Sequence, residues 1–195
     1  MTELVLAVLS LGTGVFAASA AAKLRSRAAY RDYRAGLRAS TLLRERLLPG
    51  SAAALVAAEA AVTLTLAAAA VLILTRVTGA ILLAEFALGL ACALMATLAI
   101  GVAVVVRRGV PASCACFGTR AGRQLTRVHV VRNLCLLIVL LAGLAAAAVP
   151  GGKPAPAGSL IALATGLVAA MGFVRWDDLA YLFGAGVPGP DRTGT

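Results

Sequence analysis

Two cysteines one residue apart, Cys114 and Cys116, are the residues of this chain best suited to carry chemistry. They lie in the stretch Ser-Cys-Ala-Cys-Phe-Gly, and arginines flank that stretch on both sides. A disulfide closed over one intervening residue is strained and labile, and nearby arginines favour the reactive thiolate. The spacing indicates thiol–disulfide exchange, while two unpaired loop cysteines or a palmitoylation site remain alternative interpretations.

A metal site at this pair is the weakest interpretation. Only His129 is close enough in sequence to join the two cysteines, and a structural zinc site takes four ligands. We therefore predict no metal and no bound cofactor, the catalytic group being the cysteine pair itself, and nothing in the sequence indicates a quinone.

The composition places the chain in a membrane. Of its 195 residues 61% are hydrophobic and 13% are charged, whereas soluble domains carry about 25% charged residues. The net charge of +10 is spread over loops between apolar runs, where the positive-inside rule and lipid headgroups explain it. Nucleic-acid binding is therefore not expected, and the predicted partner is the lipid bilayer.

The apolar runs predict an all-α integral membrane protein, an antiparallel bundle of four core transmembrane helices plus a fifth. The runs are 4–22, 47–74, 78–106, 127–149 and 159–174. We divide the chain into a bundle over 1–149, with the cysteine loop over 107–127, a linker and fifth helix over 150–183, and a disordered tail over 184–195.

The polar segment 23–46 predicts a basic interfacial helix after the first span. It carries eight Lys or Arg residues against two acids. On a helical wheel its arginines form one narrow wedge and its aromatic residues the adjacent face, which suits a helix in the headgroup layer. The wedge contains Arg27, Arg31, Arg34 and Arg38, and the adjacent face Tyr30, Tyr33 and Leu37.

Polar residues inside the apolar runs form a second candidate group. Glu59 lies in the second run, and an acid there costs roughly 2.5–3.5 kcal/mol, so it is expected to have a buried partner. His129, Arg132, Asn133 and Leu136 share one face of the fourth helix, which we expect to turn inward. The resulting hypothesis is a buried Glu59–Arg132 contact beneath the cysteines that holds the second and fourth helices together. Its role is either purely structural or also that of a proton relay.

Three stretches of the chain together form a family pattern. The first run ends in Phe16-Ala-Ala-Ser-Ala-Ala-Ala-Lys23-Leu24-Arg25, and Leu48-Pro49 is followed by Glu59. Arg108-Gly109 leads to Cys114-Ala115-Cys116-Phe117-Gly118 and then to Val131-Arg132-Asn133-Leu134. In these stretches the chain resembles the methylamine-utilisation protein MauE family, small multi-pass membrane proteins related to the DoxX group. Ala115 stands where the family usually has glycine.

The resemblance implies a membrane component of thiol–disulfide exchange. In the family it implies maturation of the disulfide-rich small subunit of methylamine dehydrogenase, with a thioredoxin-like partner and a disulfide-containing client. Two alternatives come from other classes of protein. One is a non-enzymatic assembly or scaffold protein, and the other is a small-solute or quinone-binding carrier using Glu59 and Glu85.

The charge rule and the resemblance favour different sides for the cysteine loop. Loops on the cysteine side carry thirteen Lys or Arg residues against two on the other, which favours the cytoplasm. Disulfide maturation implies an extracytoplasmic loop. Both sides stay open at this point.

Overall fold

The structure, a computed structural model, describes residues 1–40, 45–109, 126–152 and 155–176. It contains six α-helices in these ranges and a short 3-10 turn at Glu45–Leu47. The helices are α1 (Thr2–Leu24), α2 (Arg27–Ala39), α3 (Leu48–Leu74), α4 (Ala80–Arg107), α5 (Arg127–Ala147) and α6 (Pro156–Val174). The predicted tail 184–195 lies outside the described residues.

Five helices are long and apolar enough to cross a membrane: α1, α3, α4, α5 and α6. Their most apolar windows have mean hydropathies between 2.0 and 2.5. The predicted all-α, five-span membrane architecture is therefore confirmed. The helix ends follow local chemistry, since Pro49 and Pro156 occupy first turns, where a missing N–H costs nothing, and Thr126 is the N-cap of α5.

The turn between α3 and α4 is short and closed by backbone hydrogen bonds. Arg76 follows the helix end with φ 59°, in the left-handed region. Its N–H donates to the Ile73 carbonyl at 3.1 Å, and the Val77 N–H donates to the Leu72 carbonyl at 3.0 Å. These two bonds form a Schellman motif, which satisfies carbonyls at the end of α3 and turns the chain back. α3 and α4 are thus antiparallel neighbours, as the short connection predicts.

Helix α1 lies at the centre of the bundle and contacts all five other helices. Its contact with α6 is made through small residues that let the two backbones approach closely. A Cβ at Gly166 would overlap the carbonyl oxygen of Ala7, and Ser10 Oγ donates to the Leu163 carbonyl at 2.9 Å. A Cβ at Gly143 of α5 would likewise overlap the side chain of Val8.

The basic segment differs from the single helix predicted over 23–46. Its first two residues complete α1, and the helix restarts at Arg27 because Ser26 is extended, with φ −159° and ψ 159°. Ser26 Oγ accepts from the Ala29 N–H at 3.0 Å, an N-cap that begins α2. Tyr33 is buried against Ala52 and Val56 of α3. The aromatic face of α2 therefore packs on the bundle. The prediction had placed this face in the headgroup layer.

Candidate functional site

The predicted catalytic pair, Cys114 and Cys116, lies outside the described residues. The helices on either side fix where its segment joins the bundle. α4 ends at Arg107 and α5 begins at Arg127, and both of these helix ends lie on the side where α1 ends and α3 begins. The described polar residues at this end of the bundle lie on the side where the cysteine segment leaves α4 and joins α5.

Glu59 is 1% exposed in the first half of α3, and its carboxylate is bound by residues of α1. Lys23 Nζ donates to Glu59 Oε2 at 2.6 Å and also to Oε1. Ser19 Oγ donates to Oε1 at 3.1 Å. The expectation that Glu59 has a buried partner is met, but the partner is Lys23, where the hypothesis named Arg132.

Lys23 is itself 2% exposed and bound from three directions. Besides the carboxylate, its Nζ donates to Ser19 Oγ at 2.9 Å and lies 5.1 Å from the ring centroid of Tyr33. Ser19 and Lys23 are one turn apart on α1, so both meet Glu59 on the same face. The charge of the lysine is balanced by the carboxylate, and the aromatic ring of α2 adds a cation–π contact.

Tyr33 of α2 covers this ion pair. Burial raises the pKa of its hydroxyl well above the usual value, and the negative charge of Glu59 and then Tyr30 raise it further. The rings of Tyr30 and Tyr33 pack with centroids 6.2 Å apart. Tyr33 is therefore a neutral phenol at physiological pH, and α2 shields the charges of Lys23 and Glu59.

Arg132 and Asn133 of α5 are 4% and 5% exposed, so the predicted polar face does turn inward. Arg132 Nη2 donates to Asn133 Oδ1 at 3.5 Å. His129 has a local role, because its Nδ1 accepts from the Thr126 N–H at 3.2 Å and closes the first turn of the helix. The predicted supporting residues thus belong to two groups, one between α1 and α3 and one at the start of α5.

The carrier hypothesis uses Glu59 and Glu85, which lie in different parts of the bundle. Glu85 is half-buried and lines a cavity of about 350 Å³ with Thr2 and the end of α5, at the opposite end of the bundle from the cysteine segment. From their positions in the antiparallel α3 and α4, the two carboxylates differ in depth by roughly 15 Å. The structure therefore gives these acids separate surroundings, and a shared two-carboxylate site is not formed.

The described ranges contain no cluster of three His, Cys, Asp or Glu residues suited to a metal ion. Cys92 and Cys135 are free thiols, one buried and one half-buried. The family model described as methylamine utilisation protein MauE matches residues 1–148.

The chain belongs to the MauE family. The match covers α1 to α5 and ends before α6. No curated protein and no solved structure matches the chain. The resemblance seen in the sequence is therefore confirmed at the level of the family.

The three stretches that carried the MauE resemblance converge at one end of the bundle. They are the end of α1, the first half of α3 and the start of α5. Sequence reasoning missed Lys23 as a site residue. Lys23 lies at the boundary between the first apolar run and the basic segment, and it was counted with the basic segment. The available signal was Ser19, one turn earlier on the same helical face.

Proposed function

We propose that this MauE-family protein is a membrane component of thiol–disulfide exchange, with Cys114 and Cys116 as its redox pair. One observation carries the proposal. The Cys-Ala-Cys segment joins α4 to α5 at the end of the bundle where a fully buried Lys23–Glu59 ion pair lies. A membrane protein keeps such costly charges where function or assembly requires them.

The exchange needs no group beyond the two cysteine pairs that take part in it. A thiolate of the partner attacks one sulfur of the Cys114–Cys116 disulfide, and a mixed disulfide forms as the second sulfur leaves. The partner's other thiolate then attacks the mixed disulfide. Two electrons pass to the loop cysteines, which become thiols, and the partner's pair becomes a disulfide. The reverse direction uses the same steps, with a thioredoxin-like protein and a disulfide-containing client as the proposed partners.

The buried polar residues support this chemistry by fixing the helices that surround the loop. Lys23 and Glu59 tie α1 to α3, and the Arg132–Asn133 group lies five to six residues after the start of α5 at Arg127. The supporting residues therefore include Lys23, which is the partner of Glu59 that the hypothesis expected Arg132 to be.

Thiol labelling in intact cells tests the proposal. The protein is used as the Cys92→Ala/Cys135→Ala variant, which keeps only the loop pair. The matched control is the same variant with Cys114→Ser/Cys116→Ser added. A membrane-impermeant thiol reagent should label the first variant only after reduction and the second not at all. That result means an extracytoplasmic disulfide. Labelling after lysis alone would favour the cytoplasmic side and contradict a role in extracytoplasmic maturation.

A trapping experiment separates exchange from scaffolding. With one loop cysteine changed to serine, the other should accumulate in a mixed disulfide with the partner, because the resolving thiol is gone. If Cys114→Ser/Cys116→Ser retains both partner binding and client maturation, the protein is a non-enzymatic scaffold, and the proposed redox role is wrong.

A further inference from the structure

A groove of about 520 Å³ opens where α1 ends and α2 begins. Its lining residues are Leu24, Ser26, Arg27, Tyr30 and Arg31. It lies beside the last turn of a membrane-spanning helix, at the level where the interfacial helix starts. Its position is therefore that of a lipid headgroup.

The polar groups of this groove are hydrogen-bond donors. Arg27 and Arg31 are exposed and lie one helical turn apart on the same face of α2, so both guanidinium groups can reach one ligand. Within the described part of the chain neither arginine forms an ion pair. The nearby acid Asp32 lies about 100° away from Arg31 around the helix. The groove therefore suits an anion with several acceptor oxygens.

The next arginine of the same wedge is also short of an acceptor. The Nε of Arg34 is buried, and no group in the described residues accepts a hydrogen bond from it. Buried donors in proteins are nearly always satisfied. Among the described residues, Arg34 Nε thus lacks an acceptor, and Arg27 and Arg31 lack an acidic partner.

The apolar wall of the groove indicates the source of the anion. Leu24, the last residue of α1, is 59% exposed and borders the arginines directly. A soluble phosphate gains nothing from such a residue, whereas the glycerol and upper acyl chain of a lipid bury it.

We propose that this groove is a binding site for the phosphate of an anionic membrane lipid. The two guanidinium groups of Arg27 and Arg31 bind the phosphate oxygens in forked pairs, and Leu24 contacts the acyl region. The Tyr30 hydroxyl adds a further donor to the same wall. Since Tyr30 packs on Tyr33, which covers Lys23, the lipid also holds α2 over the buried ion pair.

The test measures how phosphatidylglycerol raises the thermal unfolding midpoint of the full chain in phosphatidylcholine vesicles. The variant is Arg27→Gln/Arg31→Gln. Its matched control, Arg107→Gln/Arg108→Gln, removes the same charge from two exposed residues at the same end of the bundle but outside the groove. The unfolding midpoints of the wild type and the control should rise at similar fractions of phosphatidylglycerol. The variant should need at least about tenfold more phosphatidylglycerol for the same rise, since charged hydrogen bonds are lost.

Two further arms decide the chemistry. Arg27→Lys/Arg31→Lys keeps the charge and removes the forked geometry, so it should also respond weakly, and it serves if the glutamine variant does not fold. Inorganic phosphate and soluble glycerophosphate should leave the wild-type midpoint unchanged. Equal responses of the glutamine variant and its control, or an equal shift with free phosphate, would overturn the lipid site.

Discussion

Lys23 Nζ lies 2.6 Å from Glu59 Oε2, with both side chains almost fully buried at the contact between α1 and α3. Removing two charges from water is costly, and their attraction offsets this cost only while both are present and hydrogen-bonded. Ser19 and Tyr33 complete the shell around the pair. The pair is therefore a specific connection between two helices, and it is sensitive to the loss of either member.

Glu59→Gln is expected to destabilise the folded protein by about 3–5 kcal/mol, because it leaves the Lys23 ammonium buried without a counter-charge. Lys23→Met should have a similar cost. The double variant Lys23→Met/Glu59→Leu should recover most of the loss, since neither charge remains. The measurement is unfolding of the purified protein by heat or by a denaturing detergent, followed by circular dichroism.

Glu85→Gln is the matched control for this series, because it removes a carboxylate from a membrane-spanning helix where the described residues include no ion-pair partner for it. We expect a change within about 0.5 kcal/mol. If the two glutamine variants were equally stable, the Lys23–Glu59 pair would not hold α1 against α3.

Gly166→Val should loosen α6 from α1. The new side chain would meet the backbone of Ala7, which cannot move without shifting α1. We expect a loss of about 1–3 kcal/mol from the resulting displacement. Gly172→Val on the same helix is the control, since a Cβ there has no atom within 4 Å. Thermal unfolding compares the two variants, and a control as unstable as Gly166→Val would refute the close packing.

The burial of Tyr33 predicts that the wild type and Tyr33→Phe differ in stability at alkaline pH. The folded pKa of Tyr33 is raised above the usual value of about 10 by burial and by the charge of Glu59, so its contribution to stability is complete below pH about 10. That contribution is lost as the pH rises further, because the unfolded chain ionises its tyrosine first. The stability of the wild type should therefore fall more steeply than that of Tyr33→Phe above pH about 10.

Ultraviolet absorbance of tyrosinate checks this directly. One of the three tyrosines should ionise late in the folded wild type, and this late step should vanish in Tyr33→Phe. Identical titration curves for the two proteins would contradict the buried position of Tyr33.

Arg76→Gly should stabilise the α3–α4 turn by up to about 1 kcal/mol, because a residue with a Cβ is strained at φ 59° and glycine is not. Arg108→Gly provides the comparison. That arginine is the C-cap of α4 and has a helical φ of −76°, where glycine brings only added freedom to the unfolded chain. The stability of the Arg108→Gly variant should fall. If both variants were more stable than the wild type, the strain at Arg76 would be refuted.

Most of the bundle follows from the sequence. Runs of alanine and leucine determine the spans to within about three residues, since the bilayer leaves a helix no alternative way to satisfy its backbone. Helical spacing also predicts the inward face of Arg132 and Asn133. These features depend on local pattern and solvent alone, which is why they can be read without a structure.

The partner of Glu59 could not be read in the same way. Arg132 and Lys23 are both long cations on the same side of the membrane, and choosing between them requires the packing of α1 against α3. The burial of Tyr33 likewise depends on how α2 folds back onto α3 after the break at Ser26. The partner of Glu59 and the burial of Tyr33 both depend on tertiary contacts, which the periodicity of a sequence does not reveal.

The central place of α1 has a consequence for how the protein is made. Ribosomal synthesis delivers α1 before every helix it contacts, and Lys23 precedes Glu59 by 36 residues. Until α3 enters the bilayer, the lysine must keep its charge in the headgroup water at the membrane surface. The ion pair can close only after α3 has inserted, and α6, the last of the described helices, packs against α1 afterwards.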